Sequence, residues 1–508
     1  MSLAPTEKDQ GLLVPGLTCW RVERAPRLAL FMDMESYFLA ARQAMCNARH
    51  SIHALNWAFD PATLFEPDEN GDGPPSDRFG PFLRDLAGAN PRLDVRILCW
   101  RSALPIAASQ NFFPHRAKKC FANSSVQFRL DGSVPLGACH HQKIIVIDDR
   151  LAFCGGGDIV PNRWDTWRHL DDDPRRQVSP RSGKDFESRH ELMGLVDGPA
   201  AAAFGALFAE RWRRATGVAP APAPSESLEL WPENTPVAAR EATIGIARTM
   251  PAWRGEPGAR ENEELHLAAI LAARRLIYME NQYYTSPIMA DALASRLEEQ
   301  DGPEVVLVST VHSPSWFDQL TMDRTRFQFV SRLREADRHG RLHVYCPRTR
   351  KGRIIIVHAK LTIIDDRLLR IGSANLNNRS MGFDTECDLV VEGQEGGDGD
   401  GLAAAIAAFR TALVAHWLEL PPKVLADEAA RLGGLAAAIE ALDGGDSRRL
   451  RPLEPKPLGP LSDLIARYHL GDPISTADAW RPWDRKRAME RILGEARLKA
   501  ARLKPAES

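Results

Sequence analysis

"HHQKIIVIDDRLAFCGG" (residues 140–156) and "HAKLTIIDDRLLRIGSAN" (residues 358–375) carry one pattern twice. Aligning His141 with His358 superposes Lys143 on Lys360, Asp148 on Asp365 and, after six intervening residues, Gly155-Gly156 on Gly372-Ser373. One short motif is a weak signal, because chance supplies some in any long chain. Two copies, each trailed at equal spacing by a pair of small residues, point instead to an internal duplication. Each histidine also precedes an apolar run that reads as a buried strand. A lone His or Lys at a strand edge is ordinarily solvated or held by a carbonyl, so it is the repetition that gives these four side chains a chemical reading.

The surrounding sequence repeats as well. Tyr37–Arg49 reads as an amphipathic helix followed by the strand "SIHALNW" (51–57), and "NEELHLAAILAARR" (262–275) followed by "LIYMENQYY" (276–284) has the same order. A helix at "FGPFLRDLAGA" and a strand at "VRILCW" (95–100) match "IMADALASRLEEQ" and "EVVLVST" (304–310). Each half closes on a tryptophan-bearing helix, with Trp212 in one and Trp417 in the other. The fold class expected is therefore α/β, with two duplicated α/β/α units, each a mixed sheet flanked by helices, packed about a pseudo-two-fold axis. The boundaries read as an N-terminal extension 1–27, a first unit 28–216, a Pro-rich linker 217–240 ("GVAPAPAPSESLELWPENTP" at its core), a second unit 241–420 and a helical, basic extension 421–508.

Composition narrows the classes. The 508 residues are 44% hydrophobic, ample for a core, yet the apolar runs are short and broken by charges, so no bilayer-spanning helix is expected. The N-terminus lacks a basic segment followed by an apolar one, which argues against a signal peptide. Eight scattered cysteines without a C-x-x-C pair read as reduced core residues. A net charge of −2 gives no general case for nucleic-acid binding. Two basic clusters, "HRAKK" (115–119) and "RTRKGR" (348–353), each precede a histidine motif and are expected to form a positive rim above the site. The basic segment "RKRAMERILGEARLKAARL" reads as a solvated or packing helix rather than a lipid-binding one, because its apolar stripe is narrow.

Two His-Lys pairs suit displacement at phosphorus, which needs a nucleophile on one side and a proton donor for the leaving oxygen on the other. Imidazole can be either. A neutral His forms a covalent phosphohistidine, while an opposed imidazolium protonates the departing alcohol and then activates the incoming water or alcohol. Lysines supply the positive charge that the equatorial oxygens need. Such a site needs no metal and no cofactor, and no convincing cluster of His and carboxylate ligands is legible in the sequence.

These residues resemble the phospholipase D superfamily, whose signature is a duplicated H-x-K-x-x-x-x-D followed by G-G or G-S. "ENQYY" (280–284) and "IGSANLNNRSMGFDTE" (371–386) resemble segments of phospholipases D proper, and "AFCGGGDIVPNRWDT" (152–166) resembles the eukaryotic-type first motif, with G-G-x-D and R-W-D. The resemblance implies His141 as nucleophile and His358 as general acid, with Lys143, Lys360 and Asn375 on the phosphate and Ser373 and Gly156 shaping the pocket floor. It also implies Glu386, and Glu191 within "SRHELMGLVDGPA", as carboxylates that orient the imidazoles. Here Ser188-Arg189 stands where the family has tryptophan, and Glu replaces Asp. Asp158 of G-G-x-D is expected near the substrate, and Trp164 at the headgroup entrance. Asp148 and Asp365, seven positions along a strand advancing about 3.3 Å per residue, cannot reach their histidines and are assigned to the fold. His140 points to the face opposite His141.

The reading expected is a phospholipase D releasing phosphatidic acid from glycerophospholipids, with transfer to another alcohol as a further outcome. A cardiolipin-synthase-like phosphatidyltransferase and a superfamily nuclease are the alternatives. A binding module with a dead site fits less well, since both His-Lys pairs are intact. The expected partner is a phospholipid membrane surface, met peripherally, and no nucleic acid is expected. The active site forms within one chain, which is cytoplasmic, on the inner membrane face or exported without a signal; the oligomeric state is open.

Overall fold

The structure, a computed structural model, describes residues 11–102, 113–177, 186–224, 229–313, 318–393, 401–444, 448–454, 468–479 and the isolated positions 483, 490, 493 and 494. Most of the basic segment 485–503 lies outside them.

The strands of the first half are β1 (Arg21–Phe31), β2 (Ser51–Asn56), β3 (Asp94–Trp100), β4 (Gln127–Asp131), β5 (Ile144–Ile147), β6 (Leu151–Gly155), β7 (Arg189–His190) and β8 (Met193–Asp197). Those of the second are β9 (Ala239–Met250), β10 (Ala259–Arg260), β11 (Leu276–Asn281), β12 (Glu304–Val308), β13 (Leu342–Pro347), β14 (Ile356–Val357), β15 (Lys360–Ile364), β16 (Leu368–Gly372) and β17 (Glu386–Glu392), with β18 (Leu450–Pro452) beyond it. One sheet runs β18-β13-β12-β11-β15-β16-β17-β9-β1-β8-β6-β5-β2-β3-β4, with β10 on the side of β9. Outward from the antiparallel β1–β9 pair the two arms match: four antiparallel pairings, then two parallel ones. The two arms thus share one order of pairings, and their antiparallel and parallel pairs together make the sheet mixed.

Helices cover both faces, because alternate residues of each strand face opposite ways and both sets are apolar. Ile144 and Val146 join a core that runs beneath both halves and takes in the helices Gly198–Thr216 and Leu402–Leu418 through Phe204, Trp212, Leu413 and Trp417. Ile145 and Ile147 face the other way, into a core with Met34–Asn47 and Phe79–Ala89, while Ile277 and Met279 face its counterpart under Glu261–Ala272 and Pro287–Leu297. Among the described residues no single helix is long and apolar enough to cross a membrane.

The two central strands escape the sequence pattern. Arg21–Arg27, inside the segment read as an N-terminal extension, is the first part of β1, and Pro26 interrupts its ladder opposite Glu241, whose φ is 54°. Proline has no N–H to give, so the break falls where it costs least. Likewise β18, in the C-terminal extension, pairs with β13.

Asp148 and Asp365 terminate β5 and β15. Each begins a two-residue turn with positive φ at both positions (51° and 51°; 54° and 56°), the geometry that matches the strand twist in tight hairpins. Asp148 accepts the backbone N–H groups of Arg49, His50 and Ser51 at 2.6–2.8 Å, and Asp365 those of Arg274, Arg275 and Leu276 at 2.6–2.8 Å. Both carboxylates therefore clamp the start of the neighbouring strand, far from the histidines.

Candidate active site

Each histidine motif is held by the other half of the chain. The residues before His358 form β14, which pairs in parallel with β7 and brings the His358 N–H to the His190 carbonyl at 2.9 Å. On the opposite side His140 bridges in parallel to Thr385, and the His141 N–H donates to the Thr385 carbonyl at 2.9 Å. Because Glu191 follows His190 and Glu386 follows Thr385, these two short pairings carry a carboxylate to each imidazole.

The exchange is reciprocal. His141 Nδ1 lies 2.9 Å from Glu386 Oε2, and His358 Nδ1 lies 2.7 Å from Glu191 Oε1. Ser373 and Ser380 donate their hydroxyls to the two Glu386 oxygens at 2.5 and 2.7 Å, so this carboxylate is fixed on both sides. Glu191 has a cationic surround instead, with Arg163 Nε at 3.3 Å. Gly156, the counterpart of Ser373, is there for room: a Cβ on it would come 2.9 Å from Glu191 Oε2 and 3.4 Å from the His358 carbonyl.

Lys143 donates to the His141 carbonyl at 2.6 Å and lies 3.5 Å from Asp158 Oδ2. Lys360 donates to the His358 carbonyl and stands 3.1 Å from His358 Nδ1. Both ammonium groups are buried, while the imidazoles retain 16% (His141) and 9% (His358) side-chain exposure, so the rings form the mouth and the lysines the floor. Burial, then the charges of Lys143 and Lys360, hold His141 well below the usual imidazole range. Burial and the cations Lys360, Arg163, Arg189 and Lys143 do the same to His358. Both lysines act on both rings, and Gly156 of the first motif lies against the His358 carbonyl and Lys360 Cδ of the second, each 3.4 Å from where its Cβ would be, which makes this one site. Burial also raises Glu386 to about 7 against the pull of Lys143 and its two serines, and lowers Lys360 to about 7 against the pull of Glu191. At neutral pH His141 is thus neutral, its Nδ1–H given to Glu386 and its Nε2 lone pair free to attack.

Other residues fall elsewhere than the motifs suggest. Asp158 Oδ1 accepts the N–H groups of Trp57 and Ala58 at 2.9 and 3.1 Å, so it secures the end of β2 and the Lys143 ammonium rather than facing an open pocket. Trp164, expected at the headgroup entrance, is instead 2% exposed in the first-half core, with the Arg175 guanidinium 5.0 Å over its ring. Its indole packs among the apolar side chains of that core, whereas Trp167, three residues on, stays 44% exposed. The basic run 348–353 is no free rim either, since Arg350 pairs with Glu419, and Lys351 and Arg353 with Asp172. His140 is structural, with Nδ1 3.0 Å from Thr385 Oγ1 and Nε2 3.0 Å from Asp131. Asn375 is buried and its Oδ1 accepts no hydrogen bond among the described residues; only its Nδ2–H groups could donate to a phosphate oxygen. Ser380 and Arg163 went unread although both lie inside quoted motifs, because a repeat marks only positions present in both copies.

The family described as "Cardiolipin synthase, PLD-like domain" matches residues 267–403. Among curated proteins the chain is similar to phospholipase D A of Dictyostelium discoideum, 23% identical over 428 residues that cover 71% of this chain and 32% of that protein. Phospholipase D alpha 4 of Arabidopsis thaliana is 23% identical over 454 residues, covering 69% and 59%. Phospholipase D1 of Saccharomyces cerevisiae is 24% identical over 451 residues, covering 71% and 26%. The chain thus spans less than two thirds of the length of these relatives. In fold it is similar to the phosphatidylserine synthase of Haemophilus influenzae Rd KW20, with a TM-score of 0.52, 14% identity, and coverage of 82% of this chain and 96% of that one.

Proposed function

We infer, from the chain's membership of the phospholipase D superfamily, that its two histidines cleave the headgroup phosphodiester of a glycerophospholipid, releasing phosphatidic acid through a covalent phosphohistidine. The observation that carries this reading is the reciprocal pair: two imidazoles over two buried lysines, each with a carboxylate oxygen from the other half within 2.9 Å of its Nδ1, hydrogen-bonded at His141 and in ion-pair contact at His358. That arrangement leaves both Nε2 atoms for chemistry.

The diester anion sits on Lys143, Lys360 and the Asn375 side chain. His141 Nε2 forms a bond to phosphorus as the bond to the headgroup oxygen breaks, and His358 gives that oxygen its proton. Water then loses a proton to His358 and attacks phosphorus, the P–N bond breaks, and phosphatidic acid leaves. An alcohol in place of water yields a phosphatidyl alcohol by the same steps. Proton transfer from a positioned side chain contributes roughly 10²–10⁴-fold to such a reaction. The charge of the bound diester offsets the cations that hold His358 deprotonated, so substrate itself supplies the condition for a protonated acid. Substrate reaches the site from a membrane surface met peripherally, and one chain suffices.

A second reading is favoured by the family description at 267–403: a phosphatidyltransferase whose acceptor is another lipid, as in cardiolipin synthesis. Mixed vesicles of phosphatidylcholine, phosphatidylethanolamine and phosphatidylglycerol, incubated with the protein with and without ethanol and analysed by lipid mass spectrometry beside His141→Ala, separate the two. Phosphatidic acid, with phosphatidylethanol when ethanol is present, supports the first reading, and cardiolipin supports the second. No lipid product from an active-folded protein overturns both and leaves other diesters, nucleic acid included, as substrates.

A further inference from the structure

We propose that His169, His190 and His416 together bind one transition-metal ion, zinc by the chemistry of the donors, at a buried site separate from the catalytic histidines. The three rings come from three distant segments: the loop after Trp164, strand β7 and the last turns of the helix Leu402–Leu418. One nitrogen from each lies within 4.8 Å of one from each of the others. Ring centres are 5.6, 5.5 and 5.4 Å apart. Three imidazoles on one zinc, with Zn–N of about 2.0–2.1 Å, set their ring centres about 5–5.5 Å apart, so the rings are already near the spacing required.

The hydrogen bonds fix which nitrogens face inward. His169 Nδ1 lies 3.0 Å from Asp165 Oδ2, His190 Nε2 lies 2.8 Å from Glu280 Oε2, and His416 Nδ1 lies 2.7 Å from the Leu413 carbonyl. All three partners are acceptors, so each of those nitrogens carries the proton and each remaining nitrogen carries a lone pair. Those remaining nitrogens, His169 Nε2, His190 Nδ1 and His416 Nε2, have no hydrogen-bond partner, and the three residues are 2%, 0% and 7% exposed. Three donorless lone pairs gathered in a dry interior repel one another, and a shared proton can serve only two of them. A divalent cation serves all three.

The outer contacts are those of a metal site too. A ligating imidazole gives its other N–H to a carboxylate or carbonyl, which sets the tautomer and raises basicity. Here the carboxylates of Asp165 and Glu280 bring two negative charges into the core. Asp165 is paired with Arg176 at 3.2 Å, but Glu280 has only His190, the Tyr278 hydroxyl and the Trp417 N–H as partners, with no Lys or Arg paired to it among the described residues. Burying such a carboxylate is costly unless a positive charge is near. The Trp417 ring, 4.2–5.5 Å from all three imidazole centres, walls the site. A water completes the coordination. Such an ion ties the R-W-D loop and β7 of the first half to the final helix of the second, one residue from Glu191.

The test uses the full chain. Metal content is measured on protein purified without a metal-affinity step, and chelator-stripped protein is then titrated with Co²⁺, whose visible absorption reports nitrogen coordination, followed by competition with Zn²⁺. About one equivalent per chain is expected, with a Co²⁺ spectrum that Zn²⁺ abolishes and a thermal midpoint that rises on metal addition. His416→Gln and His169→Gln should each lose the bound metal and the spectrum, and His343→Gln, outside the cluster, should keep both. If a cluster variant fails to fold, the wild-type titration still decides. A featureless Co²⁺ titration with an unchanged midpoint overturns the proposal, as does binding that survives in both cluster variants.

Discussion

Glu386 stands at the start of a second-half strand, yet the ring it accepts from, 2.9 Å away, is that of His141 in the first half. Glu191 repays the contact to His358 at 2.7 Å. A motif-by-motif view assigns each half its own histidine, lysine and carboxylate, whereas the folded chain crosses the carboxylates over. Neither half can hold a correctly oriented imidazole alone.

Glu386→Gln should therefore damage chemistry at His141 rather than substrate binding. The glutamine can still accept one hydrogen bond, but it removes the charge that stabilises the ring as phosphorus bonds to Nε2. We expect kcat to fall about 10²–10⁴-fold with KM changed little. Steady-state kinetics on a short-chain phosphatidylcholine reads both constants, and an unchanged kcat would remove Glu386 from the mechanism.

The two histidines should be separable by leaving group. A p-nitrophenolate departs without a proton, so His358→Ala should still release one equivalent of p-nitrophenol from a p-nitrophenyl phosphodiester in a burst and then stall at the phosphohistidine. His141→Ala should give no burst with any substrate. Full turnover by His141→Ala would refute the covalent route, and equal, complete loss of the burst in both variants would mean that the roles are not divided in this way.

The pH dependence follows from His141. It must be neutral to attack, and burial with the Lys143 and Lys360 charges pushes its pKa down. A lowered pKa keeps the nucleophile neutral to lower pH, so the limb of kcat/KM that belongs to His141 should lie below the ordinary imidazole value of about 6.5, separate from the limb at about 7 at which the buried Glu386 carboxylate takes up a proton and loses its charge. Activity is lost as pH falls through that lowered value. In Lys143→Gln one of the two depressing charges is gone, and the limb should move upward, toward 6.5, alongside a lower plateau. A limb that stays put in the variant would show that burial and Lys360 set the shift without Lys143.

Much of this was legible because duplication is legible. The H-x-K repeats, the strands behind them and the tryptophan helices each appear twice, and each occurrence supports the other. What escaped was whatever breaks the repeat. The stretch "RVERAPRLALF" hides β1 behind charges and a proline, although it forms half of the central strand pair. A repeat also says which residues correspond, not which copy they serve, so the crossing of Glu191 and Glu386 could not be read. His169, His190 and His416 share no spacing at all, since only packing brings a loop, a strand and a helix together. Trp164 illustrates the reverse error, in which a motif residue read as functional is a core residue.

The last prediction concerns the aspartates that close each motif. Asp148 and Asp365 each accept three backbone N–H groups and occupy a left-handed turn position. Replacing either by Ala leaves three backbone N–H groups without their acceptor at the entry to β2 or β11, of which those of Ser51 and Leu276 are buried, and leaves the positive-φ residue without its stabilising hydrogen bonds. Each hydrogen bond to a charged group is worth about 1.5–3 kcal/mol and the three are not additive, so a loss of about 3 kcal/mol is expected for each variant. Chemical denaturation measures it. Because the carboxylates sit at the far end of the strand from His141 and His358, the folded fraction of each variant should turn over substrate with near-normal kcat. A stable Asp365→Ala protein with collapsed kcat would instead make this residue part of the chemistry.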